Sequence, residues 1–170
     1  KPAKRSQKDT DARWTKKHGK SYYGYKNHVN MDRKHKLVRR YHVSDAALHD
    51  SQAVDHLLTR GNTGAGVWAD PAYRSEEMEA KLRGMKLKSH IHRKGKRGKP
   101  LTEQAKSSNR TKSSVRARVE HVFGAQTNDM GGTLLRTIGL VRAKAKIGMK
   151  NLAYNMRRLV QLRRLNPCPA

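Results

Sequence analysis

Val67-Trp68-Ala69-Asp70-Pro71-Ala72-Tyr73-Arg74-Ser75-Glu76-Glu77 places an acid at the tip of a short apolar run, in a chain where acids are scarce. Lys and Arg outnumber Asp and Glu by 39 to 13. The apolar run sits between a glycine-rich stretch, residues 61–66, and an Asp-Pro turn signal, so it reads as a short buried strand over residues 66–69. Ser75 then opens a helix over residues 75–83, with Met78 and Leu82 at i, i+4. The plain reading of Asp70 is turn chemistry. The sharper reading is a metal ligand at a strand end.

Upstream, residues 22–31 alternate, with Tyr23, Tyr25, Val29 and Met31 on one parity, and predict a strand. A polar turn, residues 32–36, joins it to a second strand over residues 37–43, making a hairpin. Asp50 reads as the cap of a helix carrying Ala53, Val54, Leu57 and Leu58, with Gly61 as its C-terminal cap. The glycines of residues 61–66 lack the lysine and hydroxyl residue of a phosphate-binding loop. Downstream, residues 87–92 read as a strand and residues 93–108 as a basic polar loop. Helices follow over residues 112–126 and 141–164, broken at Gly131-Gly132. Hairpin, helix, strand, helix, strand and helices define an α/β layout with a mixed sheet. Residues 1–21 read as a basic irregular lead-in, 22–165 as the domain and 166–170 as a tail.

Composition narrows the partners. The formal net charge of +26 calls for a polyanion, because uncompensated charge destabilises a compact chain. Nucleic acid leads. No apolar run approaches the roughly 18 residues of a membrane-spanning helix, and no signal-peptide pattern opens the sequence. One cysteine, Cys168, excludes an internal disulfide and suits a reducing cytoplasm. The histidine spacing, including His49 and His56, matches no zinc pattern.

Wound as a helix at about 100° per residue, residues 113–127 gather Val115, Val119, Val122 and Phe123 on the face expected to be buried. Ser113, Arg116, Glu120 and Thr127 form a second stripe along its border. The plain reading of Glu120 is an i, i+4 pair with Arg116, in the weaker Arg-before-Glu order. The alternative is chemical. A carboxylate at a strand end and another on a later helix suit hard Mg²⁺, which takes one or two carboxylates plus phosphate and water oxygens.

Together, Ala69-Asp70-Pro71-Ala72-Tyr73-Arg74-Ser75, then residues 113–124 fifty positions on, with residues 22–32 upstream, resemble the DDE transposases of bacterial insertion sequences. The resemblance runs from Asp9 to Leu162. It implies a ribonuclease-H-like mixed sheet flanked by helices, with Asp70 as second catalytic Asp, Glu120 as catalytic Glu, and both as ligands to two Mg²⁺ or Mn²⁺ ions. The family's Y-x₂-R-x₃-E-x₆-K signature falls on Ser113, Arg116, Glu120 and Thr127. Arg and Glu are kept, while Ser113 and Thr127 replace the DNA-contacting Tyr and Lys. The resemblance further implies a cytoplasmic, nucleoid-associated protein. Its partner is double-stranded DNA at transposon ends and target, bound as a dimer.

The family's first catalytic Asp has no match. Asp9 and Asp11 lie in a stretch without a run of β-formers, and Asp32 and Asp45 flank the hairpin strands. The expectation is that this chain begins after that Asp. It would then lack the first central strand and leave the hairpin with an unpaired edge. Such a chain is expected not to cleave DNA by itself.

Lesser candidates complete the reading. Arg93, Lys94, Lys96, Arg97 and Lys99 suit DNA phosphates, against the plain alternative of a solvated loop. Tyr73 packs under Asp70 or stacks on a base. His28 approaches the site from the hairpin or is structural, and His49-Asp50 reads first as a helix cap. Arg157, Arg158, Arg163 and Arg164 lie opposite Leu152, Met156 and Leu159, an apolar face expected to pack. The leading function is therefore insertion-sequence transposase, by metal-dependent phosphodiester hydrolysis and strand transfer. A catalytically inactive remnant that only binds nucleic acid is the alternative. An RNA binder of the ribosomal-protein kind fits the charge but not the Asp70-to-Glu120 spacing.

Overall fold

The computed structural model describes residues 8–17, 19–59, 64–95, 98, 100–132 and 134–165. These fall into two units, one within residues 1–57 and 121–170 and the other within residues 58–120. The architecture is α/β. Among the described residues the strands form two separate sheets rather than one mixed sheet: an antiparallel sheet of three strands and a parallel pair.

The first unit is built on strands β1 (Arg13–Lys17), β2 (Lys20–Met31) and β3 (Val38–Asp45), in that order and antiparallel. Strand β1 corrects the irregular lead-in expected for residues 1–21. Trp14 and Thr15 supply β-formers, Gly19 at φ 77° makes the return, and Trp14 pairs with Tyr23. It is an exposed edge strand, which needs no apolar run. The β2–β3 turn closes as expected, with Asp32 accepting from the His35 amide and Lys36 at φ 59°.

After β3, a 3-10 turn (Asp50–Ala53) leads into α1 (Val54–Leu57). Its cap is His49, whose ring accepts from the Ser51 amide, and not Asp50. The Asp50 carboxylate turns instead toward Lys26 (3.4 Å) and His28 (3.6 Å). Gly61, expected as the closing cap, lies outside the described residues.

Helices α4 (Glu120–Asn128) and α5 (Leu140–Leu165) supply the rest, separated by Gly131 and Gly132 at φ 77° and 75°. Val38, Val122 and Tyr154 form a buried cluster with Val29, Met31, Ala125 and Met130 packed around it. The predicted inner face of α5 is corrected: Leu152, Met156 and Leu159 are exposed, while Ala143, Ile147, Asn151 and Tyr154 are buried. Hydrogen bonding selects that face. Asn151 exchanges bonds with Asn27 (2.9 and 3.2 Å) and accepts from Gln126 (2.8 Å). The Tyr154 hydroxyl donates to the Lys36 carbonyl (2.8 Å), and Arg158 donates to that of His35 (2.9 Å). Asn155 meets both backbone groups of Val38, accepting from N–H and donating to C=O at 2.8 Å each. Residues 151, 154, 155 and 158 share one helix stripe, so a helix reads a hairpin through polar contacts.

In the second unit, β4 (Gly66–Val67) pairs in parallel with β5 (Lys88–Ser89). Both are shorter than the expected 66–69 and 87–92. Even so, the backbone bonds continue on either side, from Lys88 N to Ala65 O, His90 N to Val67 O and His92 N to Ala69 O. Helix α2 (Glu76–Gly84) is capped by Ser75, which accepts from the Met78 amide, and buries Met78 and Leu82 as predicted. Helix α3 (Glu103–Arg116) starts nine positions before the expected 112, inside the stretch assigned to a loop. Thr102 caps it by accepting from the Ala105 amide, a polar start with no apolar period to announce it. A 3-10 turn (Ala117–Val119) then interrupts the single helix expected over 112–126.

Candidate active site

Three of the predicted residues come together in the second unit. Asp70 follows the extended segment that carries β4. It occupies the N-cap position of a 3-10 turn, Pro71–Tyr73, where its carbonyl accepts the Tyr73 amide at 3.0 Å. The side chain makes no capping bond, so the carboxylate is left for another partner. That partner is Arg116, the last residue of α3. Its Nε lies 3.0 Å from Asp70 Oδ1 and its Nη1 3.3 Å from Oδ2, a two-point contact. The same Nη1 reaches Glu120 Oε1 at 3.3 Å. One guanidinium therefore holds two carboxylates fifty positions apart in sequence. Side-chain exposure is 31% for Arg116, 47% for Asp70 and 60% for Glu120. Glu120 is thus more open than its predicted place on a face border.

Two oxygen-rich side chains fit the donor preference of Mg²⁺ or Mn²⁺. Among the described residues no group of three or more His, Cys, Asp or Glu side chains stands ready to hold a metal, so Asp70 and Glu120 are what the site offers. Arg116 occupies the space between them with one positive charge of its own.

A histidine that sequence reasoning missed supports this arrangement. His92 is buried, with Nδ1 3.0 Å from the Ala69 carbonyl and Nε2 2.8 Å from the Ser113 hydroxyl. A carbonyl only accepts, so in the neutral ring Nδ1 carries the hydrogen and Nε2 accepts from Ser113. His92 thereby ties the peptide before Asp70 to α3, one turn ahead of Arg116. Its alternation with His90 carried no signal of this role. Ser113, standing where the family has Tyr, acts here through that bond.

Cations gather beside the site. Arg74 and Lys112 both donate to the Ile91 carbonyl, at 3.1 and 3.2 Å, and Arg74 faces Glu79 at 3.6 Å. Burial, then the nearby Arg74 and Arg93 charges, push the Lys112 amine below its ordinary value, against Glu79. Neither Arg74 nor Lys112 was singled out by the sequence, where they are two among 39 cations. Arg93 and Lys94 are exposed, and the Asn109 side chain of α3 fastens the Arg93 backbone at both N–H (2.9 Å) and C=O (3.0 Å). Lys96, Arg97 and Lys99 lie outside the described residues. Tyr73 is half-buried on the turn after Asp70.

The remaining candidates belong to the first unit. Thr127 is exposed on α4. His28 is buried with Nε2 2.9 Å from the Ser44 hydroxyl; burial depresses its basicity, opposed by Asp50. His49 serves as the cap already described.

In this α/β chain a strand-end aspartate and a helix-borne glutamate thus meet at one arginine. Residues 1–156 match the transposase DDE domain, and the chain belongs to that family. It is 33% identical over 149 residues to the transposase for insertion sequence element IS1106 of Neisseria meningitidis serogroup B, a match covering 88% of this chain and 51% of that relative. The chain thus spans about half the length of the curated relative it matches. No solved structure matches it.

Proposed function

We propose that this chain is the part of an insertion-sequence transposase that contributes Asp70 and Glu120 to a divalent-metal site acting on DNA phosphodiesters. The observation that carries the reading is the single guanidinium of Arg116 drawing together two carboxylates from a strand end and a later helix. The domain over residues 22–165 is read as ribonuclease-H-like, with the family's order of acidic positions. When bound, Mg²⁺ or Mn²⁺ would activate the attacking oxygen and neutralise the leaving one. Asp70 and Glu120 would hold the ion with the carboxylate oxygens that face Arg116. Arg116 orients both carboxylates and offers its remaining donors to a phosphate. Arg93, Lys94, Arg74 and Lys112 neutralise neighbouring phosphates of double-stranded DNA, the element's ends and target, on a chain of charge +26. Dimerisation on DNA and residence with the bacterial nucleoid belong to the same reading.

A second reading rests on the same contact. Two negative charges and one positive leave a weakly anionic site, and Arg116 sits where a cation would bind. A chain so arranged can bind nucleic acid without catalysis. The test is transposition of a marked element in cells supplying the transposase, with Asp70→Asn and Glu120→Gln. The catalytic reading expects each to lower transposition at least a hundredfold with DNA affinity kept. Either variant transposing at the parental rate would overturn it. An intact transposase that contains this chain, binds element ends and never transposes them would establish the second reading.

A further inference from the structure

The β1–β2 hairpin carries a feature that the acidic site does not use. Residues 13–24, Arg-Trp-Thr-Lys-Lys-His-Gly-Lys-Ser-Tyr-Tyr-Gly, interleave three aromatic rings with four Lys and Arg residues and contain no acid. Trp14 is 67% exposed and Tyr23 49%, although an indole is among the costliest side chains to leave in water. Strand pairing puts them directly opposite each other, with ring centroids 5.1 Å apart and planes tilted by 46°. Alternation places Lys16 on the same face, with Lys17 and Lys20 at the hairpin end, all exposed. The Tyr23 hydroxyl donates to the Asp9 backbone, which fixes the ring. The nearest acids are engaged elsewhere: Asp9 accepts from the Tyr25 hydroxyl (2.6 Å) and Asp11 from the Leu140 amide (2.9 Å).

We propose that Trp14 and Tyr23, with Lys16 on the same face, form a stacking platform for unpaired bases of a single nucleic-acid strand. The inference rests on the DNA-acting reading above and adds to it a site for single-stranded substrate. Bases inside a duplex hide their faces against one another, so exposed rings gain little there. An unpaired base offers a free face, and lysines a few residues away meet the phosphates on either side of it. Charge complementarity selects the occupant: four cations and no carboxylate attract a polyanion and repel a basic second copy.

The test compares the intact chain with Trp14→Ala and Trp14→Phe by anisotropy. The probes are a labelled oligothymidylate, an abasic strand of equal length, and a duplex. Trp14→Ala should weaken oligothymidylate binding about tenfold, the scale of one lost base–aromatic stack, with Trp14→Phe within about threefold of the parent. Binding of the abasic strand and the duplex should change less than about twofold, since their phosphate contacts remain. Equal losses on all three probes, or none on oligothymidylate, would overturn the platform. Tighter, Trp14-dependent binding to anionic lipid vesicles than to oligothymidylate would overturn it in favour of a membrane surface. If the parent binds no DNA at all, the DNA-acting reading of this chain itself falls. If it binds duplex normally and Trp14→Ala is silent, only the platform does. Trp14 lies on an exposed edge, and far-UV circular dichroism checks that each variant is folded.

Discussion

Arg116→Met isolates the competition between a built-in cation and an incoming one. In the parent, Arg116 makes a two-point contact with Asp70 at 3.0 and 3.3 Å and a single contact with Glu120 at 3.3 Å. All three side chains are about a third or more exposed, so solvent screening puts each pair in the surface range. The two-point pair belongs at its top, about 1 kcal/mol, and the i, i+4 helix pair adds about 0.4 kcal/mol. A divalent ion must offset roughly 1.4 kcal/mol to take both carboxylates from the guanidinium, which is about tenfold in affinity. Methionine keeps much of the stem's packing and removes the charge. Mn²⁺ titration followed by electron paramagnetic resonance at neutral pH should therefore show binding about tenfold tighter in Arg116→Met, and weaker binding in Asp70→Asn. A methionine variant binding no tighter than the parent would refute the competition. One binding more weakly would show that Arg116 holds the two carboxylates in position for the ion.

Two further predictions concern the first unit. Asn151→Ala removes three hydrogen bonds and leaves the buried Gln126 and part-buried Asn27 unpartnered, so urea unfolding should report a loss of about 2–4 kcal/mol. A loss under about 1 kcal/mol would mean water replaces Asn151 without penalty. His28 has its folded basicity depressed by burial, so the unfolded chain binds the extra proton more readily. Its contribution is complete above the ordinary value of 6.5 and is lost as pH falls through the lower folded value. Chemical denaturation between pH 7.5 and 5 should show this decline, and His28→Gln should flatten it. An unchanged slope in that variant would assign the dependence to other groups, His42 first among them.

What was legible in the sequence follows from which interactions are local. The β2–β3 hairpin showed through because alternation and a polar turn are properties of neighbouring residues. Asp70 and Glu120 were found by type and spacing, and their junction at Arg116 was foreseeable only as an i, i+4 pair with Glu120. The bond from Arg116 to Asp70 spans 46 positions, and no periodicity encodes it. Helix α3 was cut short because its first two turns, Glu103 to Arg110, are almost wholly polar, and an apolar stripe was the signal sought. The face of α5 was inverted for the converse reason. Its leucines and methionines marked an inside by hydrophobicity, but the hairpin presents carbonyls and amides that only Asn151, Tyr154, Asn155 and Arg158 can answer. His92 stayed hidden because its partners, a main-chain oxygen and a serine 21 positions on, leave no trace in composition.

The polar seam between α5 and the hairpin has a consequence for how this chain tolerates change. Greasy contacts blur position, since a leucine displaced by one turn finds another apolar neighbour. Asn155, by contrast, matches the donor and the acceptor of a single residue, Val38, and the bonds of Tyr154 and Arg158 end on the carbonyls of Lys36 and His35 in the turn. Sliding the helix by one 5.4 Å turn would mismatch all three at once. The helix has one seat. An added or deleted residue between Asn151 and Arg158 should unseat it.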